Sequence, residues 1–362
     1  MKVMDIMQML NLKQNDVIGL DIGSSMVKII AMNKDSSGYI VKAAGYAEIT
    51  ADSENNYETA LSDKDNTKII DAIRNCLAAT KLRTKAKLKT KLAVCGVSGS
   101  EVAVRDFAFP TLPEEEIESA INLEADVICP FNAGQAAIDY QVISNDGDKT
   151  KGIIVAATKS LIASKRQIVN GAGLKCVLMD VDGLALLNCF NNLNQDSDKY
   201  ATAILNVGNS CTTLAILNKD GWPFIRDTKS AGNDIISEIL NKKEITKEAL
   251  YSVLFNGVED SSLELSNCLE KASDHLITGV SDALRFYATQ EKSAPIKKVL
   301  VCGGFAVARG FVELLNRRLG TEVVLWNPFS NIRCDASQGC KEILKKHGHA
   351  LAVASGLAMR SI

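Results

Sequence analysis

A turn suited to phosphate binding lies near the start of the sequence, in the stretch Gly-Leu-Asp-Ile-Gly-Ser-Ser. Gly23 lets the backbone bend tightly and approach a ligand, and the N–H groups and hydroxyls of Ser24 and Ser25 can line a cradle for phosphate. Asp21 ends a predicted strand, where its carboxylate can hold Mg²⁺ through water molecules. Lys28 can act as a counter-charge to phosphate. The stretch is therefore either a site for a phosphate with Mg²⁺ or an ordinary surface hairpin.

The same pattern occurs a second time. VIGLDIGSSMVKIIAMNKD (17–35) and TAILNVGNSCTTLAILNKD (202–220) keep one register through two successive turns, so Asn206 corresponds to Asp21. Each copy predicts a strand, a turn with glycine, a second strand, a polar turn and a third strand. Two hairpins can be alike by chance, but the shared register favours an internal duplication. We therefore expect two similar α/β domains that face each other.

A pair of adjacent glycines, Gly303 and Gly304, follows a short apolar strand over 299–301 and precedes a predicted helix over 311–319. Glycines at such a junction let the backbone come close to an adenosine, and a helix N-terminus is favourable for an anionic ligand. Together with the two turns, this pair favours a clamp for a nucleotide.

The spacing of apolar residues predicts the elements that position these turns. Helices are expected over 66–80, 160–171, 179–190, 233–240 and 350–359, and strands over 92–97, 136–143, 152–157 and 322–325. Another helix is predicted to begin at a Thr111 cap and to end at Pro130. Residues 98–172 thus form a compact α/β insert between the first hairpin unit and the second half.

Composition argues against several classes of protein. The formal net charge is −2 over 362 residues, so no overall attraction to nucleic acid is expected. The ten cysteines form no C-x-x-C pair, which favours reduced thiols in a cytosolic protein over disulfides or a zinc site. Residues 1–14 lack the apolar run of an export signal, and no uncharged apolar run approaches the roughly 18 residues of a membrane span. The alternating cations from Lys81 to Lys91 are either a patch for anionic lipid or a solvated loop.

These motifs resemble the actin-like ATPase superfamily and, within it, the PilM family of type IV pilus assembly. The resemblance covers nearly the whole chain and is carried, beyond the hairpins, by PTLPEEEIESAINLEADVICPFNAGQAAIDYQVI (110–143), AGLKCVLMDVDGLALLNCF (172–190), GWPFIRDTKSAGNDI (221–235), VLVCGGFAVARGF (299–311), WNPF (326–329) and ASGLAMR (354–360). It implies an actin-like ATPase fold, with two duplicated α/β domains around a nucleotide cleft and an inserted subdomain of the FtsA type. The implied boundaries are 1–97, 173–195 and 340–362 for domain 1A, 98–172 for the inserted subdomain 1C, 196–240 and 296–339 for domain 2A, and 241–295 for subdomain 2B.

The resemblance also implies ATP and Mg²⁺ as cofactors, with Asp21 holding the metal. The implied nucleotide-binding residues are Asp21, Gly23, Ser24, Ser25 and Lys28 in the first loop, Gly208, Asn209, Ser210 and Thr212 in the second, Gly232 beside the phosphates, and Gly303, Gly304 and Phe305 at the adenosine. Asp182 matches the position that orients the attacking water in hydrolytic relatives. Asn206, the other residue at the catalytic centre, departs from the family's usual Asp, which implies weak or absent hydrolysis because an amide cannot act as a base. A second departure is the missing Glu-x-x-Lys in residues 245–255.

The implied function is that of an ATP-binding adaptor of type IV pilus assembly or of a related secretion or competence system. It would bind the cytoplasmic N-terminal peptide of a PilN-like inner-membrane protein in a groove built by residues 92–143. The protein would then be cytoplasmic and peripheral at the inner membrane through that partner, and contact with the pilus motor ATPase and self-association are further expectations. The alternatives are a small-molecule kinase or slow ATPase of the actin and sugar-kinase superfamily, and an FtsA-like filament-forming division protein.

Overall fold

The computed structural model describes residues 17–49, 63–80, 91–193, 200–218, 221–259, 264–290 and 293–360. Its strands are β1 (Val17–Ile22), β2 (Met26–Asp35), β3 (Gly38–Glu48), β4 (Leu92–Val97), β5 (Val102–Pro110), β6 (Ala136–Asn145), β7 (Lys149–Thr158), β8 (Lys175–Val181), β9 (Ala201–Val207), β10 (Thr212–Leu217), β11 (Pro223–Thr228), β12 (Ile296–Cys302), β13 (Glu322–Leu325) and β14 (Arg333–Cys334). Its helices are α1 (Asp63–Ala79), α2 (Glu114–Ile128), α3 (Lys159–Gly171), α4 (Asp182–Leu193), α5 (Gly232–Lys242), α6 (Lys247–Phe255), α7 (Leu265–Ala272), α8 (Asp274–Ala288), α9 (Phe311–Leu319), α10 (Gln338–His347) and α11 (Ala352–Ala358). The N-terminal stretch 1–14 and most of the basic run, residues 81–90, lie outside the described residues.

Two of the three sheets share an order of five strands, and the first has a sixth strand, β14, beside β3. The first sheet runs β14-β3-β2-β1-β4-β8 and the second runs β11-β10-β9-β12-β13. In each, three antiparallel strands form a meander, and two further strands join its inner edge in parallel. The antiparallel strands come from the repeated sequence, and the parallel strands need crossover connections. The internal duplication predicted from the sequence is therefore present as two matching sheets.

The third sheet, with the order β5-β7-β6, is the centre of the insert. Helix α2 covers it by burying Ile117 and Ile121 against Phe107 and Ile154. The next helix, α3, leaves the insert and packs on the first sheet, where Ile168 and Val169 are buried with residues of α1.

The centre of the first half is built around small residues of the last helix. All six residues of β1 are buried, as expected for a strand covered on both faces. Any side chain at Gly19 would put its Cβ 1.9 Å from the carbonyl oxygen of Ala354, and a Cβ at Gly356 would lie 1.7 Å from that of Ala185. Helix α11 therefore lies in close contact with both β1 and α4, and only glycine leaves room for these contacts.

Most of the predicted elements are confirmed, and two predictions are wrong. The predicted helix over 179–190 begins at Asp182, because residues 175–181 form β8 alongside β4 in a parallel pair. A short apolar run does not distinguish a buried strand from a helix, and here the tertiary pairing decides. Thr111 does not cap α2, since its hydroxyl donates to the carbonyl of Gly147 and Pro113 directly precedes the helix.

None of the described helices is both long and apolar enough to cross a lipid bilayer.

Candidate functional site

The first loop is the tight turn between β1 and β2. Its geometry is fixed by a hydrogen bond from the N–H of Gly23 to the carbonyl of Met26, at 3.0 Å. Asp21 and Lys28 stand directly opposite each other on the two strands, and their charged groups form an ion pair with 2.9 Å between Nζ and Oδ2. Cross-strand neighbours on one face come close enough to interact in this way. The turn residues Ser24 and Ser25 are partly exposed above this pair.

The second loop, between β9 and β10, repeats the turn. The N–H of Gly208 donates to the carbonyl of Cys211, also at 3.0 Å. Asn206, however, faces Thr213 where the first copy has Asp21 facing Lys28. The hydroxyl of Thr212 is buried and donates to the carbonyl of Ser230 at 2.8 Å, which ties the loop to the end of β11.

Helix α5 begins against this second loop. The N–H groups of Gly232 and Asn233 donate to the carbonyls of Gly208 and Asn209, at 3.0 and 2.8 Å. A Cβ on Gly232 would lie 2.6 Å from the ring of Phe305, so a glycine is required there. The first turn of α5 thus contributes positive dipole charge beside the loop, while two of its N–H groups stabilise the loop itself.

The two loops meet across the cleft between the sheets. The amide nitrogen Nδ2 of Asn209 donates to the hydroxyl of Ser24 over 3.2 Å. Ser210 is exposed at the tip of the second loop. The structure therefore brings together the residues of both loops that the sequence analysis singled out.

Asp182 is the first residue of α4 and lies beneath the first loop. Its Oδ1 is buried without a hydrogen-bond partner, and a Cβ on Gly96 would lie 2.2 Å from this oxygen. Burial, and next the charge of Asp21, raise the pKa of Asp182 to about 7, while the Ser98 side chain and Lys165 act in the opposite direction. A carboxyl with this pKa exchanges its proton near neutral pH, which suits it to orient water or to accept a proton.

Two residues of the site were missed by the sequence analysis. Asp227 on β11 accepts from the hydroxyl of Thr213 at 2.6 Å and from the N–H of Gly99 at 2.8 Å, and burial raises its pKa. It joins the second sheet to the loop that leads into the insert. Lys165 on α3 donates from Nζ to the carbonyl of Ile22 at 2.8 Å. Neither belongs to a recognisable motif, and only the alternation along β11 could have indicated that Asp227 and Thr213 share a face.

The glycine pair lies on the opposite side of the cleft, after β12. Gly303 has a φ of +97° and its added Cβ would lie 2.4 Å from the carbonyl oxygen of Val207, whereas a Cβ on Gly304 would meet open space. The ring of Phe305 is buried between Phe255 and Phe311 in the core of the second half. The backbone of Gly304 is thus the accessible part of this loop, and Phe305 anchors the loop from behind.

The residues present fit a nucleotide with Mg²⁺. A nucleotide held by the two loops would reach from the open space at Gly304 to the unpartnered buried oxygen of Asp182. Within the described ranges, no group of three or more His, Cys, Asp or Glu side chains is placed to hold a metal ion. Mg²⁺ would therefore be held by Asp21, water and the phosphates, the arrangement that this ion adopts at nucleotide sites.

Comparison with known proteins gives a family and a fold for this chain. The family model for the type IV pilus assembly protein PilM matches residues 19–362. Among solved structures, the chain is similar to the PilM-PilN type IV pilus biogenesis complex, with a TM-score of 0.78, 22% identity, and coverage of 96% of this chain and 99% of that one. It is also similar to the ethanolamine utilization protein EutJ from Carboxydothermus hydrogenoformans (TM-score 0.52, 15% identity, 98% of both chains) and to a diol dehydratase-reactivating factor (TM-score 0.50, 10% identity, 94% and 98%). The predicted actin-like α/β fold is confirmed by these likenesses and by the two matching sheets.

Proposed function

The chain belongs to the PilM family of type IV pilus assembly proteins, and we propose that it is the nucleotide-binding adaptor of such an assembly. The observation that carries this proposal is the contact of the two duplicated loops, Asn209 to Ser24, together with the nearby carboxyl of Asp182, whose Oδ1 is buried without a hydrogen-bond partner. Two unrelated surface hairpins are not expected to bring two phosphate-type turns into contact near a buried acid.

ATP with Mg²⁺ is the proposed ligand. On one side, Mg²⁺ and the phosphates would be held by Asp21, Ser24, Ser25 and Lys28. On the other side, they would be held by the loop from Gly208 to Thr212. The accessible backbone of Gly304 would contact the adenosine. Bound Mg²⁺ would compete with Lys28 for the carboxylate of Asp21, which releases the ammonium group toward a phosphate.

Turnover is proposed to be slow or absent. Asn206 occupies the place of Asp21 in the second copy, and its neutral amide carries no charge to balance that of a metal ion and does not act as a base. Asp182 supplies a carboxyl whose pKa is raised to about 7. The nucleotide would then act by setting how closely the two halves approach, through the loop contact and the hydrogen bonds of Asp227.

The proposed partner is the N-terminal cytoplasmic peptide of a PilN-like membrane protein, and the likeness to the PilM-PilN complex supports this choice. The groove would lie between the first half and the insert, where β6 forms one edge of the three-stranded sheet. An exposed edge strand accepts an extended peptide through main-chain hydrogen bonds, and alternate side chains provide specificity. The same proposal includes peripheral attachment to the inner membrane and contact with the motor ATPase. It also includes the domain boundaries 98–172 for the insert and 241–295 for the outer part of the second half.

Calorimetric titration of the purified protein with Mg-ATP, with and without a PilN-like N-terminal peptide, tests both ligands. The Gly304→Trp variant fills the open space beside the proposed adenosine position and should lose nucleotide binding while it keeps the peptide. A wild-type protein that binds the peptide but no nucleotide would be a scaffold with an unused clamp. Binding of neither ligand would overturn the adaptor proposal.

A further inference from the structure

Lys165 approaches the first loop from a separate part of the fold. It lies on α3, the helix that leads out of the insert, and its Nζ donates to the carbonyl of Ile22 at 2.8 Å. Ile22 directly precedes Gly23, so this ammonium group is placed at the base of the first phosphate loop. It is partly buried at that position.

The two lysines at this loop differ in how their charge is balanced. Lys28 is paired with the carboxylate of Asp21 at 2.9 Å. Lys165 bonds to a neutral carbonyl, and within the described part of the chain no carboxylate lies within ion-pair distance of its Nζ. An ammonium group has three donors, and a partly buried cation that is not neutralised favours an anionic ligand.

The surroundings of Lys165 indicate which anion would meet it. The charge of Lys165 opposes the rise that burial causes in the pKa of Asp182 and of Cys95 on β4, which puts its ammonium group near both side chains. Lys165 therefore lies at the Asp182 end of the cleft, while the accessible glycine of the proposed adenosine loop, Gly304, belongs to the other half. A nucleotide that runs from Gly304 through both loops would present its last phosphate at this end.

We propose that Lys165 is a second phosphate-facing cation that recognises the terminal phosphate of ATP and so distinguishes ATP from ADP. The proposal rests on the proposed nucleotide-binding function. It assigns a ligand-binding role to α3, the helix at the end of the insert, in addition to the two duplicated loops.

The test compares the affinities for Mg-ATP and Mg-ADP of the wild type and of three variants. Lys165→Met removes the charge, Lys165→Arg retains it, and Arg166→Met removes the neighbouring, exposed cation on the same helix. Loss of a hydrogen-bonded charge contact should weaken ATP binding about ten- to hundredfold, with a change of no more than about threefold for ADP. Lys165→Arg should recover part of the difference, and Arg166→Met should leave both affinities within about threefold of the wild type.

Thermal unfolding without nucleotide shows whether a variant has a folding defect. A merely structural role of Lys165 would lower the affinities for ATP and ADP equally. An unchanged ATP-to-ADP ratio in Lys165→Met, or an equal loss in Arg166→Met, would overturn the assignment while nucleotide binding itself stood. A wild type that binds neither nucleotide would instead remove the proposed nucleotide function and this role with it.

Discussion

The first and second loops share a backbone and differ in chemistry. Both turns are closed by a 3.0 Å hydrogen bond from a glycine N–H, in Gly23 and Gly208. The first copy places an Asp–Lys ion pair on the facing strands, and the second places Asn206 opposite Thr213 at the corresponding positions. The first loop is held from behind by the N–H of Ile49, which donates to the carbonyl of Ser25 at 2.9 Å, and the second by two hydrogen bonds from the start of α5. After duplication, the turn geometry was kept in both halves, while the ion pair is found in the first and the support from a helix N-terminus in the second.

The rigid backbone of the second half should be the most sensitive to substitution. Gly303→Ala forces a residue with a Cβ into a φ of +97° and places that Cβ 2.4 Å from the carbonyl oxygen of Val207. Backbone strain and overpacking each cost about 1–3 kcal/mol, so we expect a loss of about 3 kcal/mol or more in the free energy of unfolding. Urea denaturation measures this loss. Gly304→Ala, where the Cβ meets open space, is the control, and equal effects in the two variants would contradict the assignment.

The charge in the first half should appear as a dependence of stability on pH. The pKa of Asp182 is raised from 3.8 to about 7, so the folded protein binds this proton more tightly than the unfolded chain does. Its contribution to the free energy of unfolding is therefore present below pH 4 and is lost as the pH rises toward 7. Asp182→Asn should remove this dependence, so the free energy of unfolding of the variant relative to the wild type should rise by about 2–3 kcal/mol between pH 5 and pH 8.

Urea denaturation of both proteins at pH 5 and pH 8 gives the measurement for Asp182. The control is Asp71→Asn, which changes an exposed carboxylate on α1. If the free energies of unfolding of the wild type and of Asp182→Asn change in parallel with pH, this carboxyl is not held in its neutral form by burial.

The two turn glycines allow a direct comparison of the loops. A Cβ on Gly208 would lie 2.8 Å from the carbonyl oxygen of Cys211, and a Cβ on Gly23 would lie 3.1 Å from that of Met26. Gly208→Ala should therefore destabilise the protein by about 2 kcal/mol and Gly23→Ala by less than about 1 kcal/mol. Chemical denaturation of the two variants side by side checks the order, and a larger loss in Gly23→Ala would mean that the first loop is the more constrained one.

Restoring a carboxylate in the second loop should have the smallest effect. Asn206→Asp recreates the residue of the first copy and adds a group that can attract Mg²⁺ or accept a proton. We expect Mg-ATP turnover to rise by up to about tenfold, a change of no more than about 1.4 kcal/mol in the barrier. Phosphate release measured over hours detects this rise. Asn192→Asp, the same change at an exposed position of α4, is the matched control, and equal rates in the two variants would exclude a specific role for position 206.

The parts of the site that are formed by residues close together in the sequence were predicted from the sequence. The turns at Gly23 and Gly208 and the glycine pair after β12 are encoded within a few residues each, so their existence and even their duplication were correctly predicted. The position of Asp182 at the start of α4 came from resemblance rather than from periodicity, and the strand before it was mistaken for helix. Lys165 and Asp227 were missed because their partners, Ile22, Thr213 and Gly99, are brought to them by tertiary packing and by cross-strand pairing.

The close packing of α11 on β1 also has a consequence during synthesis. The strand that the ribosome produces first among the described residues, 17–22, is covered by residues 352–358, which contact it through Gly19 and Ala354. The second sheet, by contrast, has all its strands by residue 325. Domains usually fold in the order in which they emerge, but here the later half should complete its sheet first. Proteolysis of a released chain truncated after residue 340, which has all strands of the second sheet but lacks α11, should therefore leave the second half protected and the first half cleaved.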